Sequence, residues 1–184
     1  MIDEAIGYLR REVRDYLGVS DAEVILENAH VLKEANNAGG VYISLVNVEE
    51  EATLKNSEHF VRINNTIEYK EPAIFVNLYL LFSFEFGAYS TTLLRLSQTI
   101  ERFQSKRLFN AAGASATNPF PAGLDKLIVD YHNLGFEQLN HLWGIQGGAY
   151  FPSLLYKIRL VKVQRDESAA GPEVTTIQID ALPQ

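Results

Sequence analysis

Four histidines, His30, His59, His132 and His141, are the side chains of this chain best suited to bind a metal or move a proton near neutral pH. Glu137 and His141 stand four residues apart, so a helix would put both on one face as a metal pair could be. No second histidine-bearing helix supplies further ligands, HExxH is absent, and His132 precedes that helix rather than joining its face. An ordinary surface pair is the simpler reading, although a small-molecule enzyme, if this were one, would use Glu137 with His141. Ser/His/Asp chemistry lacks a G-x-S-x-G elbow. With no cysteine, thiolate nucleophiles, thiolate metal sites and disulfides are excluded. Gly144, Gly147 and Gly148 form neither a phosphate loop nor a dinucleotide fingerprint and follow a helical stretch rather than precede one. Lys106 and Arg107 close another helical stretch, where they complement its C-terminal dipole. The residues predict no catalysis and no cofactor.

Composition bounds the partners. A chain of 184 residues, 47% hydrophobic and 21% charged, suits one well-buried domain with a tail. A net charge of −7 and a pI near 5.1 argue against a general nucleic-acid binder, which needs a basic footprint. Met1 leads into an amphipathic segment rather than an apolar signal sequence. The longest apolar stretch, Ala73 to Phe86, carries Asn77 and Glu85, so no membrane insertion is expected. Acid concentrates in Glu49-Glu50-Glu51, which reads as a solvated strand end or as a docking surface for a basic partner.

The elements that must position these groups follow from periodicity. Ile2, Ile6, Leu9, Val13 and Tyr16 mark one stripe of a helix ending at Gly18. Val24 to Leu26 and the stretch from Gly40 read as strands, and the segment from Asn56 to Lys70 as a hairpin arm or an excursion. The run from Ala73 to Phe86 belongs in the middle of a sheet. A second helix is expected with Ser90 as N-cap, Leu93, Leu96, Ile100 and Phe103 inward, and Arg95, Glu101 and Arg102 outward. Asn110 to Gly123 reads as loop and Leu127 to Val129 as strand. A short helix then starts at Gly135, with Leu134 and Leu139 as a hydrophobic staple and Gln138 in the reciprocal capping position, and stops at Gly144. Gly147 and Gly148 provide a hinge, and Pro152 opens a strand to Val163. Trp143, Tyr150, Pro152 and Tyr156 form an expected structural corner, in the core or at a subunit junction. Residues 165–172 read as a polar linker, followed by an alternating strand from Val174 to Asp180 with Thr175, Ile177 and Ile179 on one face. The predicted fold is therefore α+β, a single domain with a mainly antiparallel or mixed sheet flanked by helices. The expected division is a domain over 1–164 and a linker with a C-terminal strand arm over 165–184.

Four strings carry a resemblance. SLVNVEEEATLKN (44–56), PAIFVNLYLLFSF (72–84), LSQTIERFQSKRLF (96–109) and LNHLWGIQGGAYFPSLLYKIRLV (139–161) resemble, in order, blocks of the cap or tail-terminator proteins of extracellular contractile injection systems, of the antifeeding prophage and Photorhabdus virulence cassette type. The resemblance covers most of the chain and implies a non-enzymatic, phage tail-terminator-like role. It implies a homohexameric ring that contacts the inner tube protein and the sheath protein, ends tube growth and holds the sheath end. It also implies assembly in the cytoplasm into a particle that is released or anchored. Some relatives continue well beyond the equivalent of Val163. A tail completion or connector protein of a phage-like particle is the related alternative. Glu49, Glu50, Glu51, Val174, Ile177 and Ile179 are the candidate interface residues, because heterologous ring contacts and strand addition need exposed charge or an extended arm rather than catalytic groups.

Overall fold

The computed structural model describes residues 1–33, 39–51, 60–63, 66–70, 73–163 and 168–170. The expected strand from Val174 to Asp180 lies outside the described residues. The elements run α1 (Ile2–Leu17), β1 (Val24–Leu26), β2 (Gly40–Glu50), β3 (Phe60–Ile63), β4 (Thr66–Lys70), β5 (Ile74–Glu85), α2 (Tyr89–Ser105), β6 (Leu108–Phe109), β7 (Leu127–Tyr131), α3 (Phe136–Ile145), β8 (Ser153–Val163) and β9 (Ser168–Ala170). Six strands form one sheet in the order β1-β2-β5-β8-β7-β6, antiparallel throughout except for the parallel β1/β2 pair. β3, β4 and β9 form a second, three-stranded antiparallel sheet. This is the α+β class expected, with the hairpin arm present as β3 and β4.

β5 is the centre, and its run of apolar residues has the physical reason foreseen for it: both of its faces are covered. Leu78, Leu80, Phe82 and Phe84 face a core shared with Tyr8, Leu9 and Val13 of α1 and Phe103 of α2. Tyr79 and Leu81 face a smaller core with Tyr42, Leu155 and Trp143 of α3. Each fully buried side chain of this kind contributes roughly 1.5–3 kcal/mol relative to exposure. Close approach of β1 to β2 depends on Gly40, whose φ is 143° and where a Cβ would stand 2.4 Å from the Glu23 carbonyl oxygen. Arg10 closes β1's outer edge, donating from Nε to the Val24 carbonyl at 2.6 Å and from Nη2 to that of Asp21 at 2.7 Å.

Several expectations need correction. α2 begins at Tyr89 after Ala88, not at a Ser90 cap, and its first turn has no side-chain cap; Thr92 Oγ1 instead accepts from the Phe86 amide, ahead of the helix, at 3.1 Å. Its buried face carries Thr92, Thr99 and Phe103, with Leu96 partly buried, while Leu93 and Ile100 are exposed. The threonines go inward at little cost because each hydroxyl donates to the carbonyl four residues back, Thr92 to Ala88 and Thr99 to Arg95. Arg95 and Arg102, expected outward, instead reach α1: Arg95 donates to the Leu17 carbonyl at 2.8 Å, and Arg102 pairs with Glu12. The stretch 165–172 includes β9, whose Ser168 pairs with Lys70 of β4. On α1, Tyr16 at the end of the expected stripe is exposed and stacks under Arg102, while Tyr8 and Glu12 are buried in its place.

Glu12 is the one charged side chain buried among the described core residues, with 6% exposure. It is fully engaged. Arg102 donates to one oxygen and Asn118 Nδ2 to the other at 3.2 Å; the same Nδ2 reaches the Tyr8 carbonyl, and Asn118 Oδ1 accepts from Arg11 at 2.7 Å. The loop after β6 is thereby fastened to α1 through Asn118. Burial alone would raise the Glu12 pKa, but the Arg102 hydrogen bond, the Tyr8 hydroxyl and the Lys106 charge outweigh it and hold the carboxyl below its ordinary value of 4.5.

Because that folded value is depressed, the contribution of Glu12 is fully present above pH 4.5 and is lost as pH falls through the folded value. Chemical denaturation at a series of pH values is expected to show stability falling below about pH 4.5, with a shallower fall in Glu12→Gln; identical acid limbs would contradict the assignment. Trp143→Ala empties the second core beneath α3 and is expected to lower the unfolding free energy by roughly 3–5 kcal/mol in the same assay, against no change if the ring were peripheral.

Candidate functional site

Among the described residues, the chemistry-bearing side chains are not gathered into one site. Glu137 and His141 share a face of α3 at 3.8 Å, both strongly exposed, and no cluster of three or more metal-ligating side chains exists among the described residues. The expected capping at the start of α3 is present: Gln138 Oε1 accepts from the Gly135 amide at 3.0 Å, and Leu134 and Leu139 pack together against the second core. The helix runs one residue past Gly144, to Ile145. Gly147 and Gly148 follow with φ of 95° and 83°, a reversal few other residues adopt.

The four corner residues divide between the two sides of the sheet. Trp143 sits 5.8 Å from the rings of both Tyr150 and Phe151, with Tyr150 itself exposed. The Pro152 carbonyl accepts from the Phe84 amide at 2.9 Å, so proline stands where the sheet needs only an acceptor. Tyr156 lies on the opposite face, against Phe82, Phe103 and Tyr131 at 5.6, 4.8 and 5.4 Å. Lys106, expected at a helix end, donates to the Gly113 carbonyl at 2.9 Å and lies 4.7 Å over the Phe109 ring.

The acidic run also divides. β2 carries a bulge between Leu45 and Asn47, so Tyr42 and Ser44 before it and Asn47 and Glu49 after it all pair with the same face of β5, through Ser83, Leu81, Tyr79 and Asn77. Glu50 pairs with Val76 and faces the other way. The bulge therefore lifts Glu49 and Glu51 onto the α3 side, beyond the reach of α3. There Tyr79 donates to Glu49 at 2.7 Å, Lys157 stands 3.6 Å from Glu49, and Asn77 donates to Glu51 at 3.0 Å. Arg159 completes the row, 3.6 Å from Asp130 and 4.0 Å from Glu51. The Tyr79 hydroxyl, with the charges of Glu49 and Glu51, raises the Lys157 pKa against a smaller opposing effect of burial. The result is a polar, charge-matched half of a sheet face. Exposed pairs of this kind contribute only about 0–1 kcal/mol each, so they set the character of the surface more than its stability.

Sequence reasoning missed Asn118 and the β2 bulge. Asn118 sits in a polar, proline-bearing stretch that gives no periodic signal, and the bulge shows only in that Leu45 is exposed where Val41 and Ile43 before it are buried. Other exposed apolar residues include Tyr89, Leu93, Leu94 and Ile100 on α2, Phe136 and Ile145 on α3, and Leu108 and Tyr131 on β6 and β7. Such a surface suits contact with other proteins better than turnover of a small molecule. No described helix is long and apolar enough to cross a membrane.

Two solved structures share the fold. One is the sheath/tube terminator, in the extended state, of the extracellular contractile injection system PVC, with a TM-score of 0.68 and 13% identity over 100% of this chain and 64% of that one. The other is the tube-terminating cap of the anti-feeding prophage, with a TM-score of 0.69 and 14% identity over 98% of this chain and 61% of that one. The chain spans less than two thirds of the length of either protein. No curated protein sequence matches it. Residues 5–176 match the family model of the Pvc16 N-terminal domain, and the chain belongs to that family.

Proposed function

We propose that this chain is a structural cap, a tail terminator, of a contractile phage-tail-like injection system. It seats on the last layer of inner tube and sheath as a homohexameric ring, ends tube growth and holds the sheath end. The observation that carries this reading is the agreement of fold over nearly the whole chain with two proteins described as a sheath/tube terminator and a tube-terminating cap, together with membership of the Pvc16 N-terminal family. The role is non-enzymatic and requires no cofactor; it is performed by shape and by surfaces. Assembly takes place in the cytoplasm, and the protein then travels as part of the particle.

Physical features fit such a part. A core on each side of one sheet makes a stiff body, and a ring of identical copies needs heterologous surfaces that close by rotation, not a reactive centre. The Glu49–Glu51 end of β2, split between two faces, stands among the surfaces offered to tube, sheath or neighbour.

Particles made with and without the protein, measured by electron microscopy, test the reading. Over-long or unstable tubes are expected in its absence; uniform lengths in both preparations would favour a completion or connector protein instead. Metal analysis of the purified chain is expected to find no stoichiometric zinc or iron, and finding either would move attention to Glu137 and His141.

A further inference from the structure

The six-stranded sheet is polarised in charge. The half built from β1, β2 and β5 with their adjoining turns (21–28, 40–51 and 74–85) carries seven carboxylates and no lysine or arginine, whereas the half built from β6, β7 and β8 (106–109, 125–131 and 153–163) carries six lysines and arginines against two aspartates. In the middle the two halves neutralise each other, Glu49 against Lys157 and Glu51 against Arg159. At the outer ends they do not. Among the described residues, Glu27 at the end of β1 pairs with no cation, its Oε1 accepting from the Asn28 amide at 2.9 Å; Lys126 beside β6 pairs with no carboxylate, and the Arg107 side chain reaches only Gln104 Oε1, at 3.3 Å.

Each end also exposes apolar surface. β1 stops at Leu26 while β2 runs on, and a groove of about 260 Å³ opens there, lined by Ile6, Leu26, Ile43 and Leu45 and rimmed by Asp3 and Glu27. Leu26 and Leu45 are 43% and 42% exposed, and at the opposite end Leu108 and Tyr131 are 49% and 48% exposed, so the two ends match in kind while they differ in sign. β1 and β6 are the outer strands of the sheet with four strands between them, and about 24 Å of sheet therefore separates the two ends within one copy.

We propose that copies of this chain meet head to tail through these two ends, the β1 end of one against the β6 and β7 end of the next, with Arg107 beside Glu27 and the apolar side chains of each end covering those of the other. This rests on the capping reading, which supplies the ring, and names the surfaces that close it. A heterologous contact joins two different surfaces of identical subunits, and opposite ends of one sheet carrying opposite charge are such a pair. A tube or sheath subunit seated at one end would leave the opposite sign at the other without a role. The contact is made by side chains rather than by strand addition, since Arg10 already occupies the carbonyls of Asp21 and Val24 along the outer edge of β1.

Charge reversal tests the contact in full-length protein assembled on particles. The chain has no cysteine, so Asn28→Cys in one tagged copy and Gln104→Cys in a differently tagged one, exposed positions at the two ends, report the contact as a disulfide between tags. Such a link is expected. Glu27→Arg alone or Arg107→Glu alone, carried by every copy, should lower its yield by about tenfold or more with the thermal unfolding midpoint unchanged, and the two reversals together should restore it. No link between tags overturns the inference, as does a link that either single reversal leaves intact. A loss that the double reversal fails to restore also overturns it and assigns one end to tube or sheath. Tube lengths that depend on the protein, without the link, would sink this contact alone; uniform lengths with and without the protein, the link persisting, would sink the capping reading alone.

Discussion

A strand apolar on both faces cannot be left at an edge or on a surface, and β5 sets that condition for the whole molecule. Its Leu78, Leu80, Phe82 and Phe84 demand cover on one side and its Tyr79 and Leu81 on the other. β2 and β8 are long because they flank it over most of its length. α1 and α2 supply one cover, and α3, with the turn at Ala29–Lys33, supplies the other. The helix on the second side is short, so it covers only part of that face. The remainder had to become polar, and the β2 bulge brings Glu49 and Glu51 there to meet Lys157 and Arg159. β8 has its own irregularity, opposite Val76 and Leu78, which keeps both Ile158 and Val161 on the α1/α2 side of the sheet.

The same demand explains the buried ion pair. Two helices on one face must settle against each other as well as on the sheet, and Arg95 and Arg102 of α2 do this through α1, one at the Leu17 carbonyl and one at Glu12. A buried carboxylate is a weak source of net stability even when paired, but it is intolerant of misplacement, because removing either partner strands the other charge. Glu12 therefore fixes how α1 and α2 lie together, and Asn118 extends that control to the long loop after β6.

How much of this was legible varies with the kind of signal. β5, α1 and the capped start of α3 were readable because each carries a periodic or capping pattern whose physics is local. The inward face of α2 was misread because threonine counts as polar in a pattern, yet its hydroxyl can be satisfied by its own helix. Arg95 and Arg102 were misread because a cation reads as outward unless its partner is known, and both partners lie in a helix distant in sequence. Which face Glu49 and Glu51 share, opposite Glu50, could not be foreseen, since one inserted residue at the bulge reverses every side chain after it. The family was legible from four ordered strings; a site was not, because nothing in the described chain converges the way catalytic groups do.

That lack of convergence follows from the architecture rather than standing apart from it. Both faces of the central strand are spent on packing, the polar half-face is neutralised by its own charges, and the Glu137–His141 pair sits on the exposed side of a short helix. What the fold leaves available is edge and flank: the outward side of α2, the end of β7 and the ends of α3. These surfaces are apolar and point in different directions around a stiff body. A protein that works alone would gain nothing from them, since exposed apolar area costs solubility without adding stability. A subunit placed among neighbours must cover several such surfaces at once, and rigidity then matters more than reactivity, because a ring closes only if every copy holds the same angle.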